Sequence, residues 1–262
     1  MFDDKKVGMI IPTRYYSERY PGKVLEKING KPNLEIIIER VLQSKYVDKI
    51  ILAISAKDKE KLTSWYNSKE YLQNNIPVYI FYGSHNDLML RTTQAAVFYK
   101  LDIIAMISHC CTLVCPKMID TLIQRMGVYE AEYSGNAITR TFPDGFDLQV
   151  FTKDLYERVN DLIPEGHRTR MWTHWNIWHW REEINPKPRI INREAPVSMY
   201  HPDWHLCFDT KEDKIVLENI FKAFNNFTFD HIDLMQFLYR HPEILNHNKN
   251  VKPTKLLKEG NK

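Results

Sequence analysis

The chain has 262 residues, 44% hydrophobic and 26% charged, which suffices to bury a full core and excludes a disordered chain. Its 36 Lys plus Arg stand against 33 Asp plus Glu, a net charge of +3, too small to argue for a nucleic-acid partner, so none is expected and any anion site must be local. No run reaches the ~18 apolar residues of a membrane span; the opening MFDDKKVGMIIP lacks the basic start of a signal peptide, and four cysteines, three of them crowded together, make no secreted disulfide framework, so cytoplasm is the expected compartment.

Short apolar runs at 7–11 (VGMII), 49–55 (KIILAIS), 78–82 (VYIFY) and 102–108 (DIIAMIS) suit strands buried on both faces of a parallel sheet. Between the first two, Leu34, Ile37, Ile38, Val41 and Leu42 follow the spacing of a helix with one buried face. Segments 57–67, 92–99 and 117–125 predict further helices in the gaps, and the alternation predicts a three-layer α/β/α sandwich with a mostly parallel sheet. The rhythm changes after Tyr133. TFPDGFDLQVF carries a Pro-Asp-Gly turn, and the stretch to Pro202 is rich in Trp, Pro, His and Arg, which predicts a small subdomain inserted at about 140–202 in an otherwise single domain over 1–262. DWHLCFDTKEDKIVLENIFKAF then reads as strand followed by helix, and DLMQFLYRHPEIL as a closing helix.

The first strand runs into a loop containing Arg14, Ser17, Arg19 and Lys23, with Pro12, Pro21 and Gly22 forcing irregular backbone. Three cations and a hydroxyl in such a loop can grip a polyphosphate without a Walker motif; a solvated basic loop is the plain alternative. Farther on, ISHCCTLVCP (107–116) crowds His109, Cys110, Cys111 and Cys115 together, a composition open to a metal site, a redox device or a drifted catalytic loop.

The loop RYYSERYPGKVL, with GKPNLEIIIERVLQSKYVDKIILAIS, GSHNDLMLRTTQAA, SHCCTLVCPKMID, RTFPDGFDLQVF, FDTKEDKIVLENIF and HPEILNHNKNV, resembles the cytidylyltransferases of surface polysaccharide precursors, both the SpsF-type spore-coat proteins and 3-deoxy-manno-octulosonate cytidylyltransferase. The resemblance runs nearly end to end and implies a nucleotidyltransferase that joins CMP from CTP to an acidic sugar or phosphorylated small acceptor, as a homodimer. It implies that Arg14, Ser17, Arg19 and Lys23 hold the triphosphate, with Asp87 and Arg91 near the nucleotide. Asp209 would bind Mg²⁺, unless it serves only as a helix N-cap. Asp144 and Asp147 would face the acceptor. Arg19, Lys23 and Asp209 are thus the expected catalytic set.

Two departures from the family pattern stand out. Cys110 occupies the place of the second Mg²⁺ carboxylate, and thiolate is a soft donor whereas Mg²⁺ takes hard oxygen. This leaves three readings: a loop drifted toward small apolar residues, a zinc site from His109, Cys110, Cys111 and Cys115, or Mg²⁺ held by Asp209 with nucleotide phosphates and water. It also leaves the alternative of a catalytically weak member that binds nucleotide or a partner. In the inserted segment, GHRTRMWTHWNIWHWREE replaces the family's Arg-Glu-His run. Arg168 and Arg170 suggest an acceptor with carboxylate or phosphate, Gln149 stands where the family often has an acid, and Trp172, Trp175, Trp178 and Trp180 either stack on a sugar or pack a subdomain or dimer interface.

Overall fold

The computed structural model describes residues 2–17, 19–68, 76–172 and 175–251, with the side chain of Trp175 outside that set. In chain order the elements are β1 (Val7–Thr13), β2 (Lys27–Ile28), β3 (Lys31–Pro32), α1 (Asn33–Val41), β4 (Lys49–Ser55), α2 (Lys59–Asn67), β5 (Val78–Gly83), α3 (Leu88–Phe98) and β6 (Ile103–Met106). They continue with α4 (Pro116–Val128), β7 (Tyr133–Gly135), β8 (Gln149–Thr152), α5 (Lys153–Leu162), α6 (Trp175–His179), β9 (Ile190–Asn192), α7 (Lys211–Phe224) and α8 (His231–Arg240).

Seven strands form one sheet in the order β5-β4-β1-β6-β8-β7-β9. Only β8 runs against its neighbours; the remaining pairs are parallel. Strand alternation divides the apolar residues between two faces. From β1, Val7, Met9 and Ile11 enter one core while Ile10 enters the other; from β4, Ile50, Leu52 and Ile54 separate from Ile51 and Ala53 in the same way. The first core is covered by α1, α2, α4, α7 and α8, and the second by α3, α5 and α6. This is the expected three-layer α/β/α sandwich.

Two expectations change. The segment at about 140–202 does not stand apart as an insertion, because β8 and β9 lie within it and are strands of the main sheet. The run before α7 joins no strand: it is tied to the Pro-Asp-Gly turn by a single bridge between Asp144 and His205. Among the described residues no helix is long and apolar enough to cross a membrane.

Candidate active site

β1 is flanked by β4 on one side and β6 on the other, so the chain leaves its carboxyl end where the strand order reverses, the usual seat of a ligand in an open α/β sheet. β8 runs antiparallel with Gln149 opposite Met106, which brings the start of β8 to the end of β6. Between these strand ends lies a cavity of about 350 Å³, lined on one side by Arg14, Arg19 and Lys23 and on the other by Arg140, Asp144 and Asp147.

The cationic loop is closed by its own backbone. The Tyr15 carbonyl accepts from Ser17 N at 3.1 Å and from Gly22 N at 2.8 Å, and Gly22 has φ of 80°, a conformation glycine adopts without strain. The turn that follows buries Lys23 to 4% exposure, and its Nζ donates to the Phe208 carbonyl at 2.9 Å and to Asp209 at 2.6 Å. Arg19 meets the other Asp209 oxygen at 2.5 Å. Burial works against the Lys23 charge, but Cys110, Asp209 and Cys207 outweigh it and hold the ammonium above its usual range. The structure therefore brings Arg14, Arg19, Lys23 and Asp209 to one cavity.

Asp209 is not the helix cap. Thr210 caps α7, accepting from Asp213 N, while the Asp213 carboxylate accepts from Thr210 N in a reciprocal capping box. The Asp209 carboxylate is thus given over to Lys23 and Arg19, and this bears on the magnesium expected there. The nearby donors are thiols, both Asp209 oxygens are engaged by cations, Asp147 is clasped by Arg140 and Asp144 is bonded to His205. These protein groups alone do not compose an octahedral oxygen cage; the expected Mg²⁺ would need Asp209 together with nucleotide phosphates and water.

On the facing wall Arg140 forms a fork with Asp147, at 2.9 and 2.7 Å, and reaches Asp144 at 3.4 Å. Burial raises the Asp147 carboxyl, Arg140 opposes it and Asp144 adds to it, leaving the group at about 6. His205 Nδ1 contacts Asp144 at 3.0 Å and Nε2 faces Asp213 at 3.5 Å; burial would lower this imidazole, but the two carboxylates lift it to about 10. Arg140, His205 and Cys207 were not singled out from the sequence, although Arg140 opens the RTFPDGFD motif and His205 and Cys207 immediately precede the FDTKED motif.

Several expected site residues do not line this cavity. Ser17 is buried within the loop. Asp87 caps α3 through Leu90 N at 2.8 Å and binds Arg170 Nε at 2.5 Å. Arg170 also donates to the Asn160 and Ile163 carbonyls and is 2% exposed, so it clamps α5 to α3 and is no acceptor ligand. Arg168, at the start of the same turn, is exposed outside the cavity. Arg91 donates to the Ser84 carbonyl behind the cationic loop, and burial brings its guanidinium down to about 10. Trp178 lies under Arg181, and Trp180 meets His167 edge-on; Trp172, Trp178 and Trp180 are half-buried and none lines the cavity.

The cysteines regroup. Cys115 leaves the expected set and contacts His231 Nδ1 at 2.8 Å, its thiol pushed up to about 11 by burial. Cys207 takes its place: the sulfurs of Cys110, Cys111 and Cys207 all lie within 4.8 Å of one another. The segments that carry them are joined by the bond from Phe208 N to the Cys110 carbonyl at 2.8 Å. Hydrogen bonds within the trio, aided by Lys23, bring the Cys110 thiol well below its usual range and leave those of Cys111 and Cys207 above it.

Comparison with known proteins agrees with this fold. A family model described as cytidylyltransferase matches residues 9–142. The chain is 29% identical over 118 residues to 3-deoxy-manno-octulosonate cytidylyltransferase of Pelobacter propionicus, spanning 45% of this chain and 43% of that protein. It is 24% identical over 242 residues to spore coat polysaccharide biosynthesis protein SpsF of Bacillus subtilis, spanning 89% and 94%. A cytidylyltransferase structure from Leptospira borgpetersenii superposes with a TM-score of 0.80 at 26% identity, covering 92% of this chain and 97% of that one.

Proposed function

The chain belongs to the cytidylyltransferase family, and from that premise we propose that it joins CMP from CTP to an acidic sugar or a phosphorylated small acceptor, for a surface glycan, in the cytoplasm and as a homodimer. In this reaction an acceptor oxygen attacks the α-phosphorus of CTP, that phosphorus keeps the CMP moiety, and pyrophosphate leaves. Such a transfer depends on positioning and on neutralising phosphate charge.

The observation that carries the reading is the pairing of Lys23 and Arg19 on the two oxygens of Asp209, between segments 186 residues apart in sequence. The carboxylate holds two cations at the cavity wall before any phosphate arrives. CTP would bind by exchanging its own oxygens for those of Asp209, with Arg14 extending the cationic surface. Arg140 supports the anionic acceptor: it lines the opposite wall of the same cavity, and an acceptor carboxylate or phosphate would take its planar fork from Asp147. Asp147, with a carboxyl at about 6, can take a proton from an acceptor hydroxyl near neutral pH. The names of the octulosonate and SpsF relatives favour an acidic sugar and a surface polysaccharide.

The test is thermal unfolding with each of the four ribonucleoside triphosphates, followed by mass spectrometry of CMP conjugates formed from acidic sugars. CTP should stabilise the chain most, and Arg19→Ala or Lys23→Met should each remove roughly 1.5–3 kcal/mol of that stabilisation, the value of a charge-assisted contact. Equal stabilisation of parent and variants would remove the loop from the site.

A further inference from the structure

We propose that Cys110, Cys111 and Cys207 bind a zinc ion at the wall of the cavity, leaving the fourth coordination position for a ligand that enters from the cavity. Three sulfurs within 4.8 Å of one another are close to what a tetrahedral site requires, since Zn–S bonds of about 2.3 Å place sulfurs roughly 3.8 Å apart. The spacing of the two adjacent cysteines would not by itself give such a site. It arises because Cys111 N bonds back to the Ser108 carbonyl at 3.0 Å in a tight turn, while the Phe208 N to Cys110 O bond fixes the third cysteine opposite.

The surroundings suit a bound cation better than three idle small side chains. All three cysteines line the cavity beside Lys23, Arg140 and Asp147. His109, which lines the same cavity, is 8% exposed and donates from Nδ1 to the Pro12 carbonyl at 3.0 Å, because a carbonyl can only accept. That bond fixes the tautomer with the Nε2 lone pair unprotonated, and Nε2 has no hydrogen-bond partner among the described residues. A ring nitrogen bonded to a backbone carbonyl while the other keeps its lone pair is the usual state of a metal-ligating histidine. His109 stands outside the 4.8 Å trio, so water, His109 or a nucleotide oxygen competes for the fourth position. As zinc binds, each thiol releases one proton and no electron is transferred.

The inference does not depend on CTP transfer, and its test does not use activity. The full chain, purified under reduction and passed over a desalting column, should carry about one zinc by elemental analysis, as three thiolate ligands retain the ion. Exchange with cobalt(II) should give an intense thiolate charge-transfer band and the visible absorption of a tetrahedral site. Cys110→Ser and Cys207→Ser should each weaken zinc binding at least tenfold against a competing chelator, while Cys115→Ser should bind as the parent does. If Cys207→Ser does not fold, Cys110→Ser and the cobalt spectrum of the parent decide. Failure of the reduced parent to hold zinc in the competition, retention of zinc by Cys110→Ser, or fewer than four reactive thiols in the metal-free, unfolded chain, as a disulfide within the trio would give, overturns the proposal. CTP binding without zinc would sink only this inference, and zinc binding without CTP only the nucleotide reading.

Discussion

A buried carboxylate that neutralises two cations cannot be removed cheaply. Asp209→Asn should leave α7 intact, because Thr210 and Asp213 form its cap, yet it strands Lys23 at 4% exposure without its anion. The expected loss is about 3 kcal/mol, the ordinary cost of breaking a buried pair from one side. CTP should then stabilise the variant more than the parent, since its phosphates supply the missing charge. Denaturant titration with and without CTP measures both; a variant as stable as the parent would refute the counter-ion role. His205 gives a pH test at the same scale. Its folded value, about 10, lies above the usual 6.5, so its contribution is complete below 6.5 and is lost as pH rises through about 10. The stability gap between parent and His205→Gln should therefore be widest, a few kcal/mol, at pH 6 and close steadily toward pH 10. A gap that widens with pH would mean that the imidazole is not the charged partner of Asp144 and Asp213.

Elements place these residues, and the turn before β8 shows how tightly. Gly145 has φ of 103°, and a Cβ there would stand 2.6 Å from the Leu206 carbonyl carbon and 2.7 Å from Cys207 N. Gly145→Ala should therefore cost about 3 kcal/mol, from strained backbone and forced separation of the two segments, and should weaken CTP binding by displacing Cys207 and Asp209. Calorimetry and a CTP titration check it; a variant within 0.5 kcal/mol of the parent, about the scatter of a neutral surface change, would mean that the segments yield freely. The Pro-Asp-Gly turn was legible in the sequence, but the close approach that makes its glycine necessary was not, because the partner lies about sixty residues later. The same limit explains what else was hidden. β1, β4, β5 and β6 are long enough, and apolar enough on both faces, for their period to be visible; β7 and β9 have 3 residues each, too few to display one. The cationic loop was legible because its residues are neighbours in sequence. Cys207 and Arg140 were not, since only the antiparallel return of β8 and the bridge at His205 bring them to the cavity. Arg170 misled because a buried clamp and an anion ligand call for the same side chain.

For the whole molecule, sharing of the sheet has a thermodynamic consequence. With β8 between β6 and β7, and β9 at the edge, the 140–202 segment has no sheet of its own to retain once the rest unfolds. Calorimetry should show one cooperative transition with matching calorimetric and van't Hoff enthalpies. Two resolved transitions would show that the segment folds independently.

The order in which the cavity walls occur along the chain also bears on how the protein is made. All the strands of the large sheet are complete by Asn192, but the far wall of the cavity is built from residues 202–209, and it is backed by Asn248, whose side-chain amide donates to the His205 carbonyl and to Asp213, each at 2.8 Å. During translation the scaffold can therefore assemble while Lys23 and Arg19, made early, still lack the carboxylate that holds them. A nascent chain halted before residue 202 has a framework and a half-built site, so competence to bind should be acquired only once the segment from 202 to Asn248 has emerged.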